Sequence, residues 1–504
     1  MGVGLLRGKL LVAVASLALT LAVVIAYIPA LRAGFVWDDD ANVTNNPTLL
    51  DANGLRRIWT DPRANQQYYP LTHTSFWIQR HLSGIAPAGY HLVNVLLHAL
   101  NVLLLWAVLE RLGVPGAWLA AALFALHPVH VESVAWVTER KNTLSTAFFL
   151  ASALAFLRFF GLPRAAATTA GAPPGTRAWR WYALAVGLFA GAVLAKTTAC
   201  VLPAVLAILL WWKRDRLEAP DLLALLPPTA LGVVAGLGTA WLERIHVGAT
   251  GTEFALSFTE KVLVAGRAAW FYPGKILLPL NFTFIYPRWK IDPADALAWL
   301  WPAAMLAFPV LLWVLRGRLG KGPLAAALCY GILIFPALGF FDVYFMRYSF
   351  VQDHFQYLAS MATLALCAAA LSAIPARGKA RAVGVLMLLL PLGVLTWRQC
   401  GNYQSSITLW QSVIDRNAEA WIAWNNMAGI RLREKNYVEA ERLYRKAVAL
   451  NPGFSEAQYN LGFLAILRRD VREATERYQK LREIDPGQAA DLLGMLKVIS
   501  EGPR

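Results

Sequence analysis

Runs of apolar residues long enough to cross a bilayer recur through the first four fifths of this sequence. No other feature narrows its fold as much. They fall near 10–30, 91–109, 115–135, 142–160, 181–196, 198–212, 222–242, 297–315, 323–341, 355–374 and 382–397. A crossing helix needs about 20 apolar residues, fewer when it is short or tilted, because backbone polar groups find no water in hydrocarbon. Eleven runs predict an all-α, polytopic membrane bundle of about eleven spans. Only 15% of the 504 residues are charged and 57% are apolar, against roughly 25% charged in a soluble protein. A soluble enzyme, a disordered chain and a small disulfide scaffold are excluded. HPVHVESVAW breaks the second half of the third run. The apolar stretch 254–280 carries Glu260, Lys261, Arg267 and Lys275 and reads as an interfacial or re-entrant segment.

The net charge is +16, but its distribution points to a bilayer and not to nucleic acid. Arg7 and Lys9, Arg111, the set Arg158, Arg164, Arg177 and Arg180, the set Lys213, Arg214 and Arg216, the set Arg316, Arg318 and Lys321, and the set Arg377, Lys379 and Arg381 sit at alternate ends of the proposed spans. They therefore share one face, which the positive-inside rule makes cytoplasmic. The loops 31–90, 243–296 and 342–354, and everything after the last run, then lie outside. The first run exceeds the 7–15 residues of a signal-peptide core and reads as a retained span. The 20 tryptophans suit membrane–water interfaces. Cys200, Cys329, Cys367 and Cys400 are scattered without paired spacing and read as buried apolar residues.

Near Arg398 the composition changes. Residues 1–398 read as a membrane domain and 399–504 as a polar, helical one. In the latter, Trp424, Ala440, Tyr444, Ala447 and Pro452 recur 34 residues later as Gln458, Ala474, Tyr478, Leu481 and Pro486, with Leu461 and Gly462 in the first helix of the second unit. Small residues let paired helices approach, an aromatic fills the groove and proline ends the second helix. This is the tetratricopeptide pattern, with Met427 and Ala428 standing where Leu and Gly are usual. Residues 403–417 read as a lone second helix of a further repeat and 488–499 as a capping helix. Such arrays bind extended peptides or neighbouring domains.

Three clusters carry chemistry. FVWDDDANVTNNP follows the first run and places Asp38, Asp39 and Asp40 at the interface, where a carboxylate can serve as a general base. HPVHVESVAWVTERKN supplies His127, His130, Glu132, Glu139, Arg140 and Lys141. The i, i+3, i+5 spacing of His127, His130 and Glu132 does not share a helical face, which disfavours a metal; Arg140 and Lys141 suit a lipid phosphate. DVYFMRYSFVQDHFQYLA supplies Arg347, Asp353 and His354, and Lys196 lies in a tight apolar hairpin. Arg140, Lys141, Lys196 and Arg347 are thus expected together, either on an anion such as a polyprenyl phosphate or paired with Glu132, Glu139 and Asp353.

The acidic pair, YYPLTHTSFW, GYHLVNVLLHALNVLLLW, ALFALHPVHVESVAWVTERKNTLS and the C-terminal repeats occur in this order. In that arrangement the chain resembles the transmembrane O-mannosyltransferases with tetratricopeptide repeats, in their bacterial branch, within the GT-C glycosyltransferase superfamily. The resemblance runs from about Gly34 to Ile499. It implies inverting transfer of a sugar, mannose or a related hexose, from a polyprenyl-phosphate donor to a Ser or Thr hydroxyl of an acceptor protein. Transfer would occur on the extracytoplasmic face of a bacterial inner membrane. The family's acidic motif falls on Asp38 and Asp39. Tyr69 replaces the arginine of a YRPL string, and Arg347 matches an arginine with different flanks. With His127, His130, Glu132, Asp353 and His354, Tyr69 completes the expected substrate site. No GxxxxGK[ST] loop occurs, and neither a metal nor a further cofactor is expected. The rival expectations are a non-catalytic anchor presenting a repeat domain, and a lipid transporter.

The orientation has a direct test. A reporter fused after residue 504 should be active only on the extracytoplasmic side, and cytoplasmic labelling of residues 402–504 would reverse the assignment.

Overall fold

The structure is a computed structural model that describes residues 2–162, 179–248, 251, 254–375 and 378–500. Arg164, Arg177 and Arg377 of the expected cationic loops lie outside the described residues. Among the described residues the chain is helical, with no strand. It divides into two compact units, one of residues 1–282 and 289–404, the other of 283–288 and 405–504.

In the first unit, seven helices among the described residues are long and apolar enough to cross a membrane. These are Gly8–Ala26, Pro87–Arg111, Val137–Phe159, Thr197–Arg214, Ala219–Val247, Ala296–Val314 and Gly378–Tyr403. Ala117–Leu126 and Pro128–Ala135 form an eighth apolar stretch bent by 56°. Three shorter apolar helices follow, Trp179–Ala195, Gly322–Ala337 and Ser360–Ala373. Each of the eleven runs therefore has its helix.

The bend has a local cause. Pro128 has no amide hydrogen to continue the helix of Ala117–Leu126. His127 caps the next turn instead, its Nδ1 accepting from the Val129 amide at 3.2 Å. Residues 127–139 then fold as short turns before the helix Arg140–Phe159 begins. The stretch 254–280 forms a helix, Phe258–Leu277, started by a reciprocal Ser257–Glu260 cap. Gly266 lies against Pro302 so closely that a Cβ would meet its backbone at 2.5 Å.

Side chains hydrogen-bond across helices to neighbouring carbonyls. Asn101 Nδ2 donates to Thr143 O (2.9 Å), Ser152 Oγ to Ala185 O (2.7 Å), Ser145 Oγ to Ala192 O (2.9 Å) and Thr396 Oγ1 to Leu126 O (2.7 Å). In hydrocarbon, where apolar burial drives little helix association, such bonds and close packing of small residues hold a bundle together.

The second unit is a stack of antiparallel helices: Ser406–Arg416, Trp421–Arg433, Tyr437–Leu450, Ser455–Leu467, Val471–Ile484 and Pro486–Ser500. The lone and capping helices take the places expected of them. The substitution of Gln458 for Trp424 also finds its reason here. Trp424 Nε1 donates to Ala418 O at 2.9 Å, and Gln458 Nε2 donates to Pro452 O at 2.9 Å. Each reaches six residues back, so the swap keeps one hydrogen bond. Gly462 allows close approach, since a Cβ there would lie 2.5 Å from Leu492.

Residues 283–288 were not foreseen as part of this unit. Phe284 sits edge-on to Trp410 with ring centroids 5.8 Å apart. Asn417 Nδ2 donates to Ile285 O at 3.1 Å, and Phe284, Ile285 and Tyr286 are buried. A piece of the chain itself thus packs against the first helix of the array. Phe284→Ala should remove about 3 kcal/mol from the second unit. Limited proteolysis of the full chain should then cut within 405–504 sooner than in the parent; equal resistance would show the segment to be passive.

Candidate functional site

The loop after the first helix makes a tight turn at 36–39. The Asp39 amide donates to Val36 O at 3.1 Å, and the Val36 amide donates to Asp39 Oδ2 at 2.9 Å. Asp39 Oδ1 accepts from both the Thr138 amide (2.8 Å) and Thr138 Oγ1 (2.6 Å). Asp39 is therefore fully buried with both oxygens engaged. Burial pushes its pKa up to about 7, against the opposing hydrogen bonds from Thr138 and Val36.

Asp38 differs in kind. Its Oδ1 is buried without a hydrogen-bond partner among the described residues. Burial raises its pKa to about 6, with Lys141 pulling it back down and Glu139 pushing it up. Asp40 is exposed and accepts from Thr44 Oγ1. Three neighbouring acids thus hold three positions: one pinned, one partly open beside a lysine, one at the surface.

Beside Asp38, two of the four expected cations meet. Glu139 is fully buried and lies 2.9 Å from Lys141 Nζ and 3.4 Å from Lys196 Nζ. Asn142 closes the group, accepting from Lys196 Nζ at 2.7 Å and donating to Glu139 Oε2 at 2.5 Å. His354 continues it, with Nδ1 2.6 Å from Glu132 Oε1 and Nε2 3.8 Å from Glu139 Oε1. Burial drives the His354 pKa down to about 3, so the ring is neutral at pH 7 and shares a hydrogen bond with Glu132. Asp353 is buried and an electrostatic neighbour of Glu132. On the other side Lys141 donates to Gln67 Oε1 at 3.5 Å, and Gln67 Nε2 donates to Glu243 Oε1 at 2.9 Å. The Tyr344 amide also reaches Glu243, at 3.4 Å. Tyr69 is buried near Glu243 and Glu139, and burial foremost raises its pKa.

Arg140 does not join them. Its guanidinium lies over Phe76 (4.6 Å) and Tyr90 (5.3 Å), and it donates to Asn94 Oδ1 and Tyr90 O. It is buried and turned away from its neighbour Lys141, because successive helical residues point about 100° apart. Nor do His127 and His130 line the cluster. His127 Nε2 is 3.0 Å from Ile276 O, while His130 bridges Phe124 O (2.8 Å) and Ser360 Oγ (2.9 Å). Both are buried hydrogen-bonding residues of the helix packing. Arg347 is half-buried, stacked on Tyr344 and Tyr348 and donating to Tyr344 OH at 2.8 Å. No three His, Cys, Asp or Glu among the described residues are grouped to hold a metal ion.

Gln67, Asn142 and Glu243 escaped the sequence reading. Gln67 and Glu243 are 176 residues apart, and only Glu243, an acid at the end of an apolar run, carried any signal. Chemically, the arrangement offers one under-bonded carboxylate next to two ammonium groups that share the Glu139 carboxylate. Lys141 also faces Asp38 and Glu243, and Lys196 also faces Glu132, so the two ammonium groups stand among several carboxylates.

Comparison with known proteins gives two kinds of match. Models of the tetratricopeptide repeat match residues 431–496 and 398–453. Human protein O-mannosyl-transferase TMTC3 is 25% identical over 91% of this chain and 54% of its own length, and the mouse protein of the same name gives the same shares. Mouse protein O-mannosyl-transferase TMTC4 is 34% identical over 37% of this chain and 28% of its own. The chain thus spans about half the length of the curated relatives it matches first. No solved structure matches.

The inward turn of Arg140 makes a clear prediction. Arg140→Ala should lower the thermal midpoint in detergent by about 5 °C or more, by leaving Asn94 and two aromatic faces without their partner. An unchanged midpoint would return Arg140 to the anion-binding set.

Proposed function

We propose that this chain, a homologue of curated protein O-mannosyl-transferases along nine tenths of its length, is a multi-pass membrane glycosyltransferase. It transfers mannose or a related hexose from a polyprenyl phosphate to a Ser or Thr hydroxyl of an acceptor protein, with inversion, on the extracytoplasmic face. The observation that carries this reading is Asp38: a half-buried residue whose Oδ1 is buried with no hydrogen-bond partner among the described residues, beside Lys141 and the Glu139–Lys196 group.

In this mechanism the acceptor hydroxyl donates its hydrogen bond to Asp38. As the oxygen attacks the anomeric carbon from the face opposite the phosphate, Asp38 takes the proton. Lys141 and Lys196 stabilise charge gathering on the departing lipid phosphate, which needs no proton of its own. Arg347 supplies a further cation from the 342–354 segment. Arg140, with its guanidinium committed to Phe76 and Tyr90, is left out of the donor set. Asp39 holds the loop and is not the base, because both its oxygens are already accepting. The reaction calls for no metal. The tetratricopeptide unit serves protein interaction, with the acceptor as its partner.

Purified protein in detergent, given a polyprenyl-phosphate sugar and a hydroxyl peptide, tests the assignment. Asp38→Asn keeps the shape and loses the basicity, so turnover should fall by about 10²-fold or more while donor binding survives. Near-normal transfer by this variant would favour the non-catalytic anchor.

Ionisation sets the pH dependence. A base must be deprotonated, so activity should rise with pH and reach half its plateau near pH 6, where burial has moved Asp38. A flat profile from pH 5 to 8 would exclude Asp38 as the base.

A further inference from the structure

Trp37 has a positive φ of 51°. It is the second residue of the 36–39 turn, a place where a positive φ normally calls for glycine, asparagine or aspartate. A bulky side chain there is strained by about 1 kcal/mol or more, so the surroundings must hold it. They do so on both sides. On one, Val36 and Asp39 exchange two hydrogen bonds, and Asp39 is pinned to Thr138. On the other, the indole meets the Tyr348 ring edge-on at 5.9 Å and lies 6.4 Å from Phe345. Those rings flank Arg347, which stacks on Tyr348 at 5.5 Å.

We infer that Trp37 is the positioning residue that aims Asp38, with its strained turn and its indole anchor setting Asp38 apart from the pinned Asp39 and tying it to the segment that bears Arg347. The inference rests on the reading of Asp38 as base. Without the left-handed residue, Asp38 and Asp39 would follow Val36 in regular backbone. The pin at Thr138 would then fix Asp38 in a different direction. The indole also couples the base to a cation from a segment about 300 residues away in the chain, so the two can be in place together.

Trp37→Gly tests this, since glycine accepts a φ of 51° without strain but has no ring. The thermal midpoint should hold or rise. Turnover at saturating donor should fall by about 10-fold or more, with the KM for donor little changed. The groups facing Asp38 are Lys141, Glu139 and Asp39. With the turn loosened, Asp38 should gain solvent, and the acid limb of the pH profile should move below 6. Trp37→Phe should restore turnover to within about threefold of the parent. A folded Trp37→Gly with parental turnover and an unmoved acid limb would overturn the inference. If Trp37→Gly fails to fold, Tyr348→Ala decides, because it removes the anchor and leaves residue 37 intact: reduced turnover with a shifted limb supports the inference, and a parental profile overturns it. Asp38→Asn run alongside separates the two ideas. If it is inactive while Trp37→Gly is normal, only the positioning role falls; if it is active, the base assignment falls.

Discussion

A buried carboxylate that must stay charged governs the architecture around the site. Glu139 has no solvent to stabilise it, and an unpaired charge so placed would cost several kcal/mol. Lys141 comes from two residues further on, Lys196 from the hairpin between two further helices and Asn142 from the same helix start, with His354 of the 353–356 turn 3.8 Å away. Satisfying one anion therefore brings three distant stretches of chain to one point. The same requirement leaves two ammonium groups sharing one carboxylate.

Around that point, loops that helix packing alone would leave independent are joined by polar contacts. Thr138 holds Asp39 of the first loop. Glu243, at the end of the helix Ala219–Leu242, gathers Gln67 and the Tyr344 amide. These bonds lie at helix ends, where backbone groups are unsatisfied and connecting segments can vary. The helices between them supply rigidity, and the irregular segments supply direction. A strained residue such as Trp37 survives in this setting because neighbours on both sides over-determine its conformation.

The repeat unit obeys different physics. Its stability comes from neighbouring helices burying a continuous core, and its first helix holds the chain's own Phe284 and Ile285.

Apolar runs, the 34-residue spacing and the proline break at 128 were legible in the sequence because each is local. A run of about 20 apolar residues marks a candidate membrane helix from local sequence alone, and a repeat announces itself by its period. The acidic loop and the Lys141–Lys196 pair were legible too, since ionisable groups at the ends of apolar runs are costly unless used. Which way each side chain turned was not. Arg140 and Lys141 are adjacent and equally cationic, yet one packs on Phe76 and Tyr90 while the other meets Glu139. Asp38 and Asp39 read alike, yet Asp39 takes both the amide and the hydroxyl of Thr138 while Asp38 keeps a buried oxygen with no hydrogen-bond partner among the described residues. The membership of 283–288 in the repeat unit had no sequence signal. Direction depends on partners more than a hundred residues away, and only packing brings those partners within reach.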